Sequence, residues 1–288
     1  MATFSTPTIQ NDPIYALPHL YIDGMNISFA STTVIAIAPG QARDANDVID
    51  MPISFPDASG NIYPTVLYQN YQQPLLINSR ITGVNGVDTG AIAASSQYAI
   101  YLIGDSRGYN QVGAVISLTS NAFPTLPFGY DSYRLLGFAA TDGSSNFVYA
   151  TQKPQNMKFA LQYINSPAIS VLAGGNATTF TAIDLTASSA IPTTTLPNVI
   201  VELFVTFTPV AAGDIVQFRP TGSTATAGLV TITGVAAGVA QTQYIQVIAG
   251  VGSSKPEIDY KVTASGDAVS VSVASWIGVS NTAYPALV

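Results

Sequence analysis

The run Val199-Ile-Val-Glu-Leu-Phe-Val-Thr-Phe-Thr208 alternates with a period of two. Val199, Val201, Leu203, Val205 and Phe207 fall on one side, and Ile200, Glu202, Phe204, Thr206 and Thr208 on the other. Successive side chains of a β-strand point to opposite faces, so this reads as a strand with one fully apolar face. The pattern returns at Ile258, Tyr260 and Val262, interleaved with Asp259, Lys261 and Thr263, and at Val269, Val271 and Val273, interleaved with Ser270, Ser272 and Ala274. Apolar runs at 169–172, 179–185, 214–218, 228–234 and 242–248 bring the total to about eight strands, spaced as in a β-sandwich. The expectation is an all-β chain whose residues 166–288 form a jelly-roll-like sandwich. Ile200 and Phe204 stand on the face that should meet water. Large apolar side chains there predict a covered face, and a partner subunit is the economical cover.

Upstream, strand-like runs occur at 32–38, 48–55, 62–68, 75–81, 97–103, 113–118, 133–140, 147–151 and 157–164. Turn signals separate them: Pro39-Gly40, Asp57 to Gly60, Asn85-Gly86, Gly129 to Asp131 and Asp142-Gly143. Twelve of the 15 Tyr precede residue 165 and 17 of the 25 Val follow it, and Tyr163-Ile-Asn-Ser-Pro167 reads as a linker. The division is therefore a Tyr-rich β domain over 31–165 and the sandwich over 166–288. Residues 1–30, punctuated by Pro7, Pro13 and Pro18, read as an extended N-terminal arm. An arm bearing Ile9, Ile14, Tyr15 and Leu20 should lie on another surface, so Ile14 and Tyr15 join Ile200 and Phe204 as candidate oligomer or partner contacts.

Composition narrows the function. Charged residues make up 9% of the chain, against roughly 25% in an ordinary domain. The 16 acidic residues comprise 14 Asp and 2 Glu, a balance that favours turns and caps over helix surfaces. A net charge of -7 with nine scattered basic residues leaves no stripe to neutralise phosphates, so nucleic acid is not an expected partner. No run approaches the ~18 consecutive apolar residues of a membrane helix, and no membrane role is expected. The absence of Cys removes disulfides, thiolate metal sites and cysteine nucleophiles. The first residues lack a basic region and an apolar stretch, so synthesis in a host cytoplasm without a secretory signal is expected.

Two stretches test for chemistry. Gly104-Asp-Ser-Arg-Gly108 matches G-x-S-x-G, the nucleophile elbow, and its Gly-Asp-Ser also resembles the opening block of GDS-type esterases. That chemistry needs a base beside Ser106. The sole histidine, His19, lies upstream in the arm, and the residues after Gly108 lead into another strand instead of a helix. A polar hairpin turn is the expected reading. Arg43-Asp44-Ala-Asn-Asp47-Val-Ile-Asp50 places three Asp within eight residues, without the Gly and closing Glu of a calcium loop. Asp side chains capping backbone amides, with Arg43 balancing one, are expected there. No phosphate loop or His/Cys metal spacing is present, and no enzyme activity, cofactor or metal is expected. The many Tyr of the first domain are expected chiefly in core and subunit packing, because Tyr98 and Tyr101 fall on opposite faces of one strand. Trp276 is expected in the core.

The stretch Gly83 to Phe138 contains Asn85-Gly-Val-Asp-Thr-Gly90, Tyr98-Ala-Ile-Tyr-Leu-Ile-Gly104 and Phe128-Gly-Tyr-Asp-Ser-Tyr-Arg134. It resembles a segment of tailed-phage virion proteins, as do Leu17-Pro-His-Leu-Tyr-Ile-Asp-Gly24 and Ala38-Pro-Gly-Gln-Ala-Arg-Asp44. The resemblance spans roughly the first domain and carries no catalytic signature. It implies a virion structural component: a surface-exposed decoration or fibre protein, expected as a homotrimer, that docks on capsid or tail proteins. The alternative it leaves open is a receptor-binding adhesin that recognises host surface glycans.

Overall fold

The computed structural model describes residues 21–53, 74–121, 123–155, 158–164, 169–192, 198–225, 230–251 and 255–279. Strands come first in short pieces: β1 (Ile22–Gly24), β2 (Ile27–Ser31), β3 (Val34–Ile37), β4 (Gly40–Arg43), β5 (Asp50–Ile53) and β6 (Leu75–Asn78). Then follow β7 (Gly86–Val87), β8 (Gln97–Gly104), β9 (Gly113–Leu118), β10 (Ser132–Ala140), β11 (Ala150–Gln155) and β12 (Lys158–Tyr163). The second half holds β13 (Ile169–Gly175), β14 (Thr181–Asp184), β15 (Asn198–Thr208), β16 (Ile215–Pro220), β17 (Val230–Thr233) and β18 (Gln241–Ile248). It ends with β19 (Gly250–Val251), β20 (Pro256–Val262) and β21 (Ala268–Val279). The fold is all-β; the single helical turn among the described residues is a 3-10 turn at Ala187–Ser189.

The second half is a two-sheet sandwich. One sheet has the order β13-β21-β15-β18 and faces β14-β20-β16-β17, with β19 added beside β20. Val199, Val201, Leu203, Val205 and Phe207 share one core with Val216, Phe218, Ile258, Tyr260 and Val262 from the opposite sheet. Each such side chain stabilises the fold by roughly 1.5–3 kcal/mol on leaving water. The expected alternation is thus realised, with all five inner residues of β15 buried.

β21 is twelve residues long because it serves two neighbours on one side. Its first part pairs with β13 (Ile169 opposite Val273) and its last part with β12 (Gln162 opposite Ser275, Lys158 opposite Val279). Through β12 the sheet continues to β11, β2, β3 and β6, nine strands in all. The two halves of the chain therefore share a sheet across the point where the sequence suggested a boundary. Of the suggested linker, residues 165–167 lie outside the described residues.

In the first half, β8 is buried along its whole length. Ala99, Tyr101 and Ile103 face the core that continues into the sandwich, while Tyr98, Ile100 and Leu102 face a second core with Met25, Ile35, Ile37 and Ile77. Tyr98 and Tyr101 are thus both core residues. The folded body begins inside the stretch assigned to the arm: β1 and most of β2 lie within 21–30, and Met25 and Ile27 are fully buried. Pro39-Gly40, expected as a turn, lies where the chain bends between β3 and β4, Pro39 at the bend and Gly40 as the first residue of β4. Gly40 is needed for close approach, since a Cβ there would strike the Asp23 carbonyl and the Met25 amide. Ile14, Tyr15 and His19 lie outside the described residues.

Candidate functional site

The Gly104 to Gly108 motif closes the hairpin between β8 and β9, which pair antiparallel from Tyr98–Leu118 to Ile103–Gly113. Its serine is held by a carboxylate: the Ser106 amide donates to Asp131 Oδ1 at 2.8 Å and its hydroxyl to Oδ2 at 2.5 Å. Burial pushes the Asp131 carboxyl up, but hydrogen bonds from Ser106 and Ser132 outweigh this and hold it below the usual carboxylate range. Asp105 works in parallel. It accepts from Arg107 Nε at 2.9 Å and Asn110 Nδ2 at 2.8 Å, and those bonds overcome burial to lower its pKa as well. Arg107 and Asn110 also donate to the Gly129 carbonyl, at 3.0 and 2.9 Å. These bonds tie loop 105–112 to loop 127–131. On this cross-braced pair Tyr109 is 83% exposed and Phe128 fully exposed.

The Asp-rich stretch is a structural turn. Asp44, fully buried, accepts from the amides of Asn46, Val48 and Ile49 at 3.1, 2.6 and 2.8 Å. Arg43 pairs with Asp50 at 2.9 Å. Among the described residues no group of three His, Cys, Asp or Glu is placed to hold a metal ion.

The outer face of the nine-stranded sheet is different in kind. The pairing register sets Ile248, Ile200 and Ile277 side by side on β18, β15 and β21, with Ala160 of β12 next in line. Ile248 is 57% exposed, and Ile200 and Ile277 are each 43% exposed. Phe204, two rows away, is half-buried, and the Tyr244 ring packs edge-on against it at 5.1 Å. Both sequence-predicted contacts that the structure describes, Ile200 and Phe204, therefore lie on the same outer face, in two separate apolar rows. Ile248 and Ile277 complete the first and Tyr244 the second. They were missed because membership depends on cross-strand register, whereas their own segments show only alternation.

Between the two apolar rows runs a polar one. Ser28, Thr151, Gln162, Ser275, Glu202 and Gln246 stand opposite one another in sequence across six strands. The row follows a shallow concavity of about 570 Å³, and the Ser275 hydroxyl hydrogen-bonds Glu202 at 3.0 Å. Apart from Glu202, and Lys153 at the margin, its polar groups are hydroxyls and amides. Trp276 lies beneath, wholly buried, 5.7 Å from the Phe138 ring.

No family model matches the chain, and no curated protein is similar to it. Among solved structures, the Tobacco streak virus coat protein dimer is 17% identical over 47% of this chain and 93% of its own, with a TM-score of 0.25. The coat protein of the same virus in a C2 crystal form is 13% identical over 47% of this chain and 94% of its own, with a TM-score of 0.23. Likenesses at that level assign neither a fold nor a role.

Proposed function

We propose that this chain is a non-enzymatic structural component of a tailed-phage particle, a surface-exposed oligomeric decoration or fibre protein that docks on the capsid or tail. The observation that carries the reading is the set of outward-facing apolar side chains Ile200, Phe204, Ile248 and Ile277 on an ion-poor β chain. Subunit contacts accept such residues without desolvating ions. The interleaved strand order supports it: with the eight main sandwich strands numbered in sequence, 1-8-3-6 faces 2-7-4-5. We read that order as jelly-roll connectivity, an architecture used by viral capsid domains among others. Three-fold association is the stoichiometry we favour from the resemblance to phage proteins. Light scattering at micromolar concentration should give a multiple of the monomer mass, and purified particles should bind the protein in fixed stoichiometry. A monomer that ignores both capsids and tails defeats the proposal.

The polar row favours a second reading. A concave ladder of hydroxyls and amides suits a neutral glycan, as a host-recognising adhesin would need. Binding to intact bacteria in the absence of particles, lost in Gln162→Ala, would select this reading over the first.

A further inference from the structure

Buried polar side chains in native folds nearly always have hydrogen-bond partners, and each exception calls for an explanation. Among the described residues three buried side-chain atoms have none: Ser79 Oγ, Gln97 Oε1 and Trp276 Nε1. The fold brings two of the three together, and they are complementary. An indole N–H can only donate, and an amide oxygen can only accept.

Strand register and two neighbouring carbonyls place them. Trp276 of β21 stands directly opposite Leu161 of β12, and Tyr163, two residues further along β12, is its diagonal neighbour in the same core. Diagonal pairs lie within reach of aromatic side chains. The Tyr163 hydroxyl donates to the Ala190 carbonyl at 2.8 Å, just past the 3-10 turn. The adjoining Ser189 carbonyl accepts from the amide nitrogen of Gln97, the first residue of β8. Two consecutive carbonyls thus hold Tyr163 and Gln97 next to each other. Burial pushes the Tyr163 hydroxyl well up, and the Gln97 and Trp276 side chains pull it part of the way back, so both lie close to that oxygen. Gln97, Tyr163 and Trp276 are all buried.

The Gln97 amide nitrogen and the Tyr163 proton are engaged by the Ser189 and Ala190 carbonyls. What remains is the Trp276 donor and the Gln97 acceptor, with a Tyr163 oxygen that can still accept beside them. Neither orphan reaches a protein partner in hydrogen-bond geometry. We infer that Gln97, Trp276 and Tyr163 form a binding site for one internal water molecule, where β8, β12, β21 and the Ala187–Ser189 turn meet. The water accepts from the indole and donates to the Gln97 oxygen, and its second proton is free for the Tyr163 oxygen. About three hydrogen bonds is the usual complement of a buried water. A solvent molecule then completes the joint between the two halves of the chain, with Gln97 and Tyr163 from the first and Trp276 from the second. This site is independent of how the chain assembles.

Trp276 is the only Trp, so the isotope-labelled full chain gives a single indole N–H resonance, which reports this site alone. A long-lived water should give a water cross-peak at that proton. Tyr163→Phe removes the hydroxyl that could relay such a signal, and the cross-peak should weaken but persist. Gln97→Met, similar in length but without the acceptor, should abolish it and shift the indole resonance while most amide resonances stay in place. A high-resolution crystal structure should show one ordered water about 2.7–3.2 Å from both Trp276 Nε1 and Gln97 Oε1. No cross-peak in the parent, or one that vanishes in Tyr163→Phe, overturns the site. So does a crystal structure in which the indole nitrogen bonds the Gln97 oxygen directly. Should Gln97→Met fail to fold, Tyr163→Phe and the crystal structure decide the matter without it.

Discussion

The two sides of β15 are built from one run of sequence yet do different work. Inward, Val199 to Phe207 interlock with the opposing sheet and are shut off from water. Outward, Ile200 and Phe204 have comparable bulk but gain far less burial within the chain, Phe204 meeting mainly the Tyr244 ring. The sequence pattern sees an apolar residue at seven of these ten positions and cannot rank them. The structure shows that five maintain the fold and two are left over for something else. An apolar side chain left half in water is a cost to the isolated subunit, and association removes it.

Substitutions can break this contrast. Leu203→Ala, inside, should cost about 2–5 kcal/mol, read as a lower denaturant midpoint. Should it cost less than Ile200→Ala, outside, the assignment of the two faces is reversed. Asp44→Ala should follow at about 2 kcal/mol or more, because three backbone amides lose their acceptor at a wholly buried site. Phe204→Asp sharpens the comparison by separating fold from assembly. The subunit should lose about 1 kcal/mol with the Tyr244 contact, while light scattering shows dissociation. Unchanged mass and melting would remove the outer face from the interface. Ile200→Ala should move monomer stability by about 0.5 kcal/mol or less.

Acid gives the gentlest perturbation. Hydrogen bonds hold Asp105, Asp131 and Asp142 below the ordinary carboxylate range in the folded state. Their folded pKa values lie under the unfolded value of about 3.9, so their contribution is complete above that pH and fades as pH falls through the lower folded values. Melting should be flat near neutrality and decline below about pH 4. A decline beginning near pH 6 would point to other groups.

Much of the fold is legible in residue order. Every run read as a strand between 169 and 273 contains one, and β8, β9, β10 and β12 fall within a residue or two of expectation. What escapes is long-range. Nothing local announces that β21 continues past Val273 to pair with β12, more than a hundred residues away in the chain. A register shift near Glu202 and Leu203 breaks the alternation there, so that Trp276 turns inward after Val269, Val271 and Val273. β1 and β2 hide behind the prolines that suggested an arm. The candidate surface was half visible: Ile200 and Phe204 stood out within one strand, but a patch spanning β18, β15 and β21 exists only once the strands are aligned. Gly104 to Gly108 shows the converse, a catalytic string whose polar groups are committed to bracing a hairpin.

The long closing strand also dictates an order of events. A ribosome delivers β12 and β15 well before β21, which hydrogen-bonds to both. Until β21 emerges, β12 and β15 each expose an unsatisfied flank. Maturation must therefore await the emergence of β21, and crowded nascent copies have that interval in which to find each other's flanks before their own.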